Sequence, residues 1–240
     1  MGIEVEICVN SESNEVVQQS VSAAYRGGAS RVELCSAMHL DGLTPPREHV
    51  EVAREAFQDR PGLLVMIRPR AGDFSYSSQE IDKMLEQIEI AAKCGADGVV
   101  FGVLQEDDHA VDYPNLKLLV HKARELNLKT SFHRAFDATP NSSDALDSLI
   151  DTGVDRVLTS GIPWNKKGTA LEGIDTIRKL VKQAQNRIEI VIGGGVAPAN
   201  AKMIVNELPG DAVISLHAYS SVLEEGSTSE KLVSDLVHQT

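Results

Sequence analysis

LLVMIRPRAGDFSYSSQEIDKMLEQIEIAAKCGADGVVFG, residues 63–102, decides the fold. It opens on an apolar run of strand length, Leu63–Arg68, of the kind found in buried parallel sheets. The run stops at Arg68-Pro69-Arg70, where Pro69 has no N–H to donate and ends the regular ladder. A helix is expected over Ser78–Cys94. Gly95-Ala96 closes it, the glycine supplying a left-handed C-cap. The next strand, Gly98–Gly102, starts almost at once. Strand, helix, glycine and strand in 40 residues make one β/α unit.

The same unit recurs along the whole chain of 240 residues. Strands are expected near 3–8, 31–35, 63–68, 98–102, 129–133, 156–160, 188–193 and 212–217. Helices fall between them, near 13–27, 47–58, 78–94, 114–126, 141–152, 173–185 and 198–208. A last helix is expected near Ser227, where Glu230 would complete a capping box. Gly28-Ala29 and Gly153-Val154 repeat the glycine ending of Gly95-Ala96. Eight such units, without linker or low-complexity stretch, read as an α/β fold: a single-domain (β/α)8 TIM barrel over residues 1–240. A doubly wound open sheet is the rival, but Cys8-Val9-Asn10-Ser11 after the first strand is no dinucleotide-binding turn.

Composition narrows the partners. Hydrophobic residues make up 42% of the chain, enough for a real core, and acidic residues outnumber basic ones by 12. Phosphate backbones and anionic membranes should repel such a surface, and aromatics at 4% weigh against a base-stacking platform. No nucleic acid or membrane partner is therefore expected, and any anion site must be a local basic cluster. No signal peptide or membrane span is visible in the sequence. Three widely spaced cysteines suggest no disulfide framework. A cytoplasmic location is the simplest expectation.

In a barrel of this kind, chemistry sits at the C-terminal ends of the strands. The side-chain period of two turns Val5, Ile7, Val32, Leu34 and Phe132 toward the helices. It turns Glu6, Cys8, Arg31, Glu33, Cys35, Arg68, Arg70, His133, Ser215 and His217 toward the axis. Arg68 and Arg70 would hold a small anion, or would only pair with nearby carboxylates. His133 and Glu33, with Asp137 on the following loop, are candidates for acid–base chemistry. The glycine triplet at 193–195 and Thr159-Ser160-Gly161 suggest a phosphate cradle, with Gly194, Gly195 and Ser160 in it. No lysine ends a strand, so a Schiff-base mechanism lacks a nucleophile. Cys8 and Cys35 close adjacent strands with the same facing, and His217 ends the strand on the other side of Cys8. Two sulfurs and an imidazole would suit Cu(I) or zinc, although buried cysteine is also a common small hydrophobe.

Several stretches together resemble the CutC family of copper homeostasis proteins. They are RVELCSA (31–37), GLTP (42–45), MIRPRAGDFSYS (66–77), GADGVVFGVL (95–104), FHRAFD (132–137), RVLTSG (156–161), ALEG (170–173) and GGGV (193–196). IRPR-x-GDF and FHRAFD are the specific ones. The resemblance implies a single-domain cytoplasmic barrel, a homodimer or larger homo-oligomer, connected with copper homeostasis. It also implies Cu(I) ligation by cysteine, with Cys8 and Cys35 at the matching positions. The loop Ile162–Thr169, with Trp164 in it, is longer than the family's usual turn. Two functions compete: a Cu(I)-binding protein, and an enzyme acting on a small phosphorylated or carboxylated metabolite. A barrel that binds without turnover is a third.

Overall fold

Runs such as Leu63–Met66 are apolar at every position because both of their faces are covered. In the computed structural model, which describes residues 2–240, eight such strands close into a parallel barrel. They are β1 (Glu4–Asn10), β2 (Arg31–Cys35), β3 (Leu63–Met66), β4 (Gly98–Phe101), β5 (Lys129–Phe132), β6 (Arg156–Thr159), β7 (Glu189–Ile192) and β8 (Ile214–Ala218). Each pairs with the next in sequence. The seam is made by β1 and β8, with Glu4 opposite Ser215 and Glu6 opposite His217. The helices are α1 (Asn14–Arg26), α2 (Arg47–Phe57), α3 (Ser78–Lys93), α4 (Tyr113–Glu125), α5 (Ser142–Thr152), α6 (Ile174–Ala184), α7 (Ala201–Asn206) and α8 (Glu230–Val237).

The period of two divides the interior as expected. Val5, Ile7, Val32 and Leu34 pack outward with Val17 and Val21 of α1 and Val50 and Ala53 of α2, in the main core between barrel and helices. Each such buried aliphatic side chain contributes about 1.5–3 kcal/mol. Cys8, Cys35, Leu64, Met66 and Val100 form a separate cluster inside the barrel. Lower in the barrel, Arg31 pairs with Glu4, Glu6 and Glu189, which neutralises an otherwise costly buried charge.

Helix ends follow their sequence signals, with one exception. Gly28, Gly95 and Gly153 have φ of +89°, +83° and +76°, the left-handed form that glycine adopts freely. Ser77 and Glu80 cap the start of α3 reciprocally. The last helix, however, begins at Glu230, with Ser229 as its cap, because Ser227 pairs with Glu224 in a two-residue hairpin. Strand β3 stops at Met66, two residues before the expected end, although Ile67 still donates to the carbonyl of Val100 at 2.7 Å. Among the described residues no helix is long and apolar enough to cross a membrane.

Candidate metal centre and adjoining cavity

Three sulfurs meet at the C-terminal end of the barrel. Cys8 Sγ lies 3.9 Å from Cys35 Sγ and 3.8 Å from the Sδ of Met38. The two cysteines come from β1 and β2. Met38 starts a short 3-10 turn, Met38–Leu40, three residues after Cys35. That turn lies between Ala37 and Asp41, both in the left-handed region at φ +49° and +65°. Non-glycine residues rarely sit there, and each costs about 1–2 kcal/mol.

Arg68 holds the turn in place. It is among the largest fully buried side chains, and its guanidinium donates to the carbonyls of Leu40 (2.7 Å), Gly42 (3.1 Å) and Gly72 (2.8 Å). Its ring-facing side lies 5.1 Å from the centre of Phe74. Its hydrogen bonds thus go to loop backbone. Arg70 does not share its face. Pro69 breaks the strand period, and Arg70 bonds Glu80 and Asp73 outside the cavity.

A line of titratable groups runs below the sulfurs. His217 Nδ1 donates to Glu6 at 2.8 Å and lies 3.3 Å from Glu33. Burial opposes its charge, but Glu33, Cys8 and Glu6 outweigh burial and raise its pKa well above the usual imidazole value. Burial also opposes the charge of Glu6, which His217 and then Arg31 and Arg156 overcome, lowering its pKa to about 2. For Glu33 burial wins, helped by Cys8 and Glu6, and its pKa is pushed up to about 8. The hydrogen bond from Cys35, aided by His217, lowers the Cys8 thiol to about 6 against burial. Cys35 moves the other way. Cys8, burial and Glu33 raise it well above the ordinary thiol value, and its Sγ lies 3.3 Å from Glu33 Oε1. The pair therefore divides, with Cys8 the more acidic thiol and Cys35 the less acidic.

A cavity of about 280 Å³ opens above these groups. Besides the sulfurs it is lined by Glu33, His217, Arg68, Phe74, His133 and Trp164, among others. His133 is buried. Its Nδ1 accepts from the backbone N–H of Ala135 at 3.1 Å, which places the proton of the neutral ring on Nε2. Burial, followed by the charge of Arg68, lowers its pKa to about 3. At neutral pH it is a hydrogen-bond donor, and its Nε2 has no partner among the described residues. Trp164, from the long loop, meets Phe74 edge-on at 5.5 Å and takes Arg134 over its ring.

The remaining candidates lie apart from this cavity. Asp137 accepts from Thr159, from the backbone and side chain of Ser160, and from Arg134, tying the loop after β5 to β6. Ser160 is wholly buried in that network. Gly194 and Gly195 serve close packing. A Cβ on Gly194 would come within 2.8 Å of Ser160, and one on Gly195 within 2.9 Å of Thr169. Their carbonyls accept from the backbone of Ala170 and the side chain of Asn200. Met38 and Trp164 were not among the sequence candidates for chemistry. The spacing Cys35-x-x-Met38 was the available signal for the first.

Comparison with known proteins gives a consistent result. A family model described as the CutC family matches residues 3–219. A family protein CutC of Vibrio atlanticus (strain LGP32) is 37% identical over 232 residues, 96% of this chain and 89% of the relative. The copper homeostasis protein cutC homolog of Homo sapiens is 40% identical over 216 residues, 90% of this chain and 72% of the relative. A crystal structure described as a copper homeostasis protein CutC from Streptococcus agalactiae superposes with a TM-score of 0.77 at 29% identity, covering 90% of this chain and 98% of that one.

Proposed function

The chain belongs to the CutC family, a family linked to copper homeostasis, and on that premise we propose that it binds Cu(I) through Cys8 and Cys35. The observation that carries this reading is the 3.9 Å between the two sulfurs. A metal–thiolate bond of about 2.3 Å places two sulfurs of one tetrahedral or trigonal ion about 3.8–4.0 Å apart. The donor chemistry agrees, because thiolates favour soft Cu(I), and the Cys8 thiol is shifted toward ionisation. His217, whose Nδ1 lies 2.8 Å from Glu6, stands beside Cys8 as counter-charge to the thiolates in this reading, or as a further ligand through its other ring nitrogen. We place the protein in the cytoplasm, where thiols stay reduced, as a homo-oligomer. The test is titration of the reduced protein with Cu(I) against a competing chelator. The Cys8→Ser/Cys35→Ser double variant should lose binding, and unchanged affinity would remove the idea.

A second reading is favoured by the unpartnered Nε2–H of His133 beside the cavity. In it the protein is an enzyme for a small phosphorylated or carboxylated metabolite. His133 would donate a hydrogen bond to a substrate oxygen, and Glu33, protonated up to about pH 8, would supply the acid. Arg68 would contribute positive charge at the cavity wall while remaining bonded to the loops. A thermal-shift screen of metabolites tests this: a substrate should stabilise wild type more than His133→Asn.

A further inference from the structure

Resting on the Cu(I) reading, we infer that Met38 is a third sulfur ligand, held in place by Arg68 as a positioning residue. The thioether lies 3.8 Å from Cys8 Sγ, the same spacing that separates the two cysteines to within 0.1 Å. Sulfurs that share one trigonal or tetrahedral ion have that spacing. Met38 and Cys35 Sγ also both lie 3.4 Å from the point where a Cβ on Gly42 would sit. A side chain there would press against both sulfurs, and the φ of +84° at Gly42 disfavours one in any case.

The backbone around Met38 is built at a cost that ordinary turns avoid. Two non-glycine residues in the left-handed region flank it. Such strain persists where the surroundings over-determine it, and it concentrates at ligand sites. The surroundings here are the Arg68 guanidinium on the carbonyls of Leu40 and Gly42, and the side chain of Asn10, which accepts from Met38 N–H at 3.4 Å. Leu64, Met66, Val100 and Tyr219 pack around the sulfurs, and the carboxylate of Glu33, 3.3 Å from Cys35 Sγ, is the hard donor the thioether competes with.

Charge points the same way. Two thiolates and Cu(I) sum to one negative charge, beside which His217 lines the same cavity. A neutral thioether completes the shell without adding another buried charge. On binding, Cu(I) takes both cysteine sulfurs as thiolates and the Met38 thioether, and each thiol proton given up leaves to solvent through the open cavity. A thioether is a softer donor than imidazole or carboxylate, so its addition to the two cysteines suits Cu(I).

The experiment uses the full-length reduced protein under anaerobic conditions. Cu(I) affinity is measured by chelator competition, and X-ray absorption counts the sulfur neighbours of the bound ion. Wild type should show three sulfurs. Met38→Leu should show two and bind about tenfold or more weakly. Met38→Cys should restore three. Met203→Leu, an exposed methionine on α7 away from the cavity, should behave as wild type. Two sulfurs in wild type, or unchanged affinity in Met38→Leu, would overturn the inference and leave the two-cysteine reading standing. Wild-type binding by Cys8→Ser/Cys35→Ser would instead sink that reading itself. Should Met38→Leu fold poorly, Met38→Ala with the same sulfur count decides the matter.

Discussion

Cys8 and Cys35 are not partners in the barrel's register, yet their sulfurs lie 3.9 Å apart. Cys8 stands opposite Glu33, and Cys35 opposite Asn10, two residues further up. Strands in a closed barrel tilt by about 35–45° and are staggered, so side chains that share a layer across the axis come from different rungs of the ladder. The stagger brings the two thiols together and leaves Glu33 beneath them as a neighbour of both Cys35 and His217.

Cu(I) affinity should rise with pH. Cys8 loses its proton at about pH 6, whereas Cys35 keeps its own well above the ordinary thiol value. Above about pH 6 each Cu(I) should displace one proton, so apparent affinity rises about tenfold per pH unit. Below it both thiols are protonated, and the slope should approach two protons. Chelator competition at several pH values, with proton release followed in weak buffer, checks both regimes.

Arg68→Met should destabilise the fold by about 2–4 kcal/mol, because it strips three loop carbonyls of a charged donor. It should also weaken Cu(I) binding, and it should add little to the defect of Met38→Leu, since both act on the same turn. Urea unfolding and a double-mutant cycle on Cu(I) affinity measure the two effects.

Gly42→Ala should be damaging despite the small added group. The position has φ +84°, which costs an L-residue about 1–2 kcal/mol, and the new methyl would lie 3.4 Å from Cys35 Sγ and Met38 Sδ. Lower thermal stability together with reduced Cu(I) affinity is expected. An equal loss of both in a distant destabilised variant would argue against a local effect.

His133 should stay neutral down to about pH 3. The unfolded chain takes up that proton near pH 6.5, so this group's contribution to stability is full above pH 6.5 and is lost as pH falls from there toward 3. The slope is about 1.4 kcal/mol per pH unit. Nitrogen NMR should show an Nε2-protonated ring at pH 5, and His133→Asn should flatten the acid limb of the stability profile.

The period of two made the barrel and its two layers legible, because it is a local property of each strand. Val5 against Glu6 and Val32 against Glu33 are enough to assign a face. Gly28, Gly95 and Gly153 were equally plain, since a positive φ at a helix end is chemistry that glycine supplies alone. Arg68 was harder. Its position on the cavity wall followed from the pattern, but its partners are carbonyls of two loops, and carbonyls carry no mark in a sequence. Arg70 misled for a related reason, because the alternation that would align it with Arg68 stops at Met66. The placement of Met38 rests on left-handed backbone at Ala37, a residue type that gives no hint of it.

All three sulfurs lie within the first 38 residues, on one β-α-β unit and the turn after it. The wall that shuts them in is completed at the other end of the chain, where β8 docks on β1. A growing chain therefore presents both thiols and the thioether to its surroundings for nearly the whole of its synthesis. Oxidation of the cysteine pair, and capture of the wrong ion, are hazards of that interval. The late seam separates a period when the ligands are open to whatever is nearby from one in which they line a walled cavity.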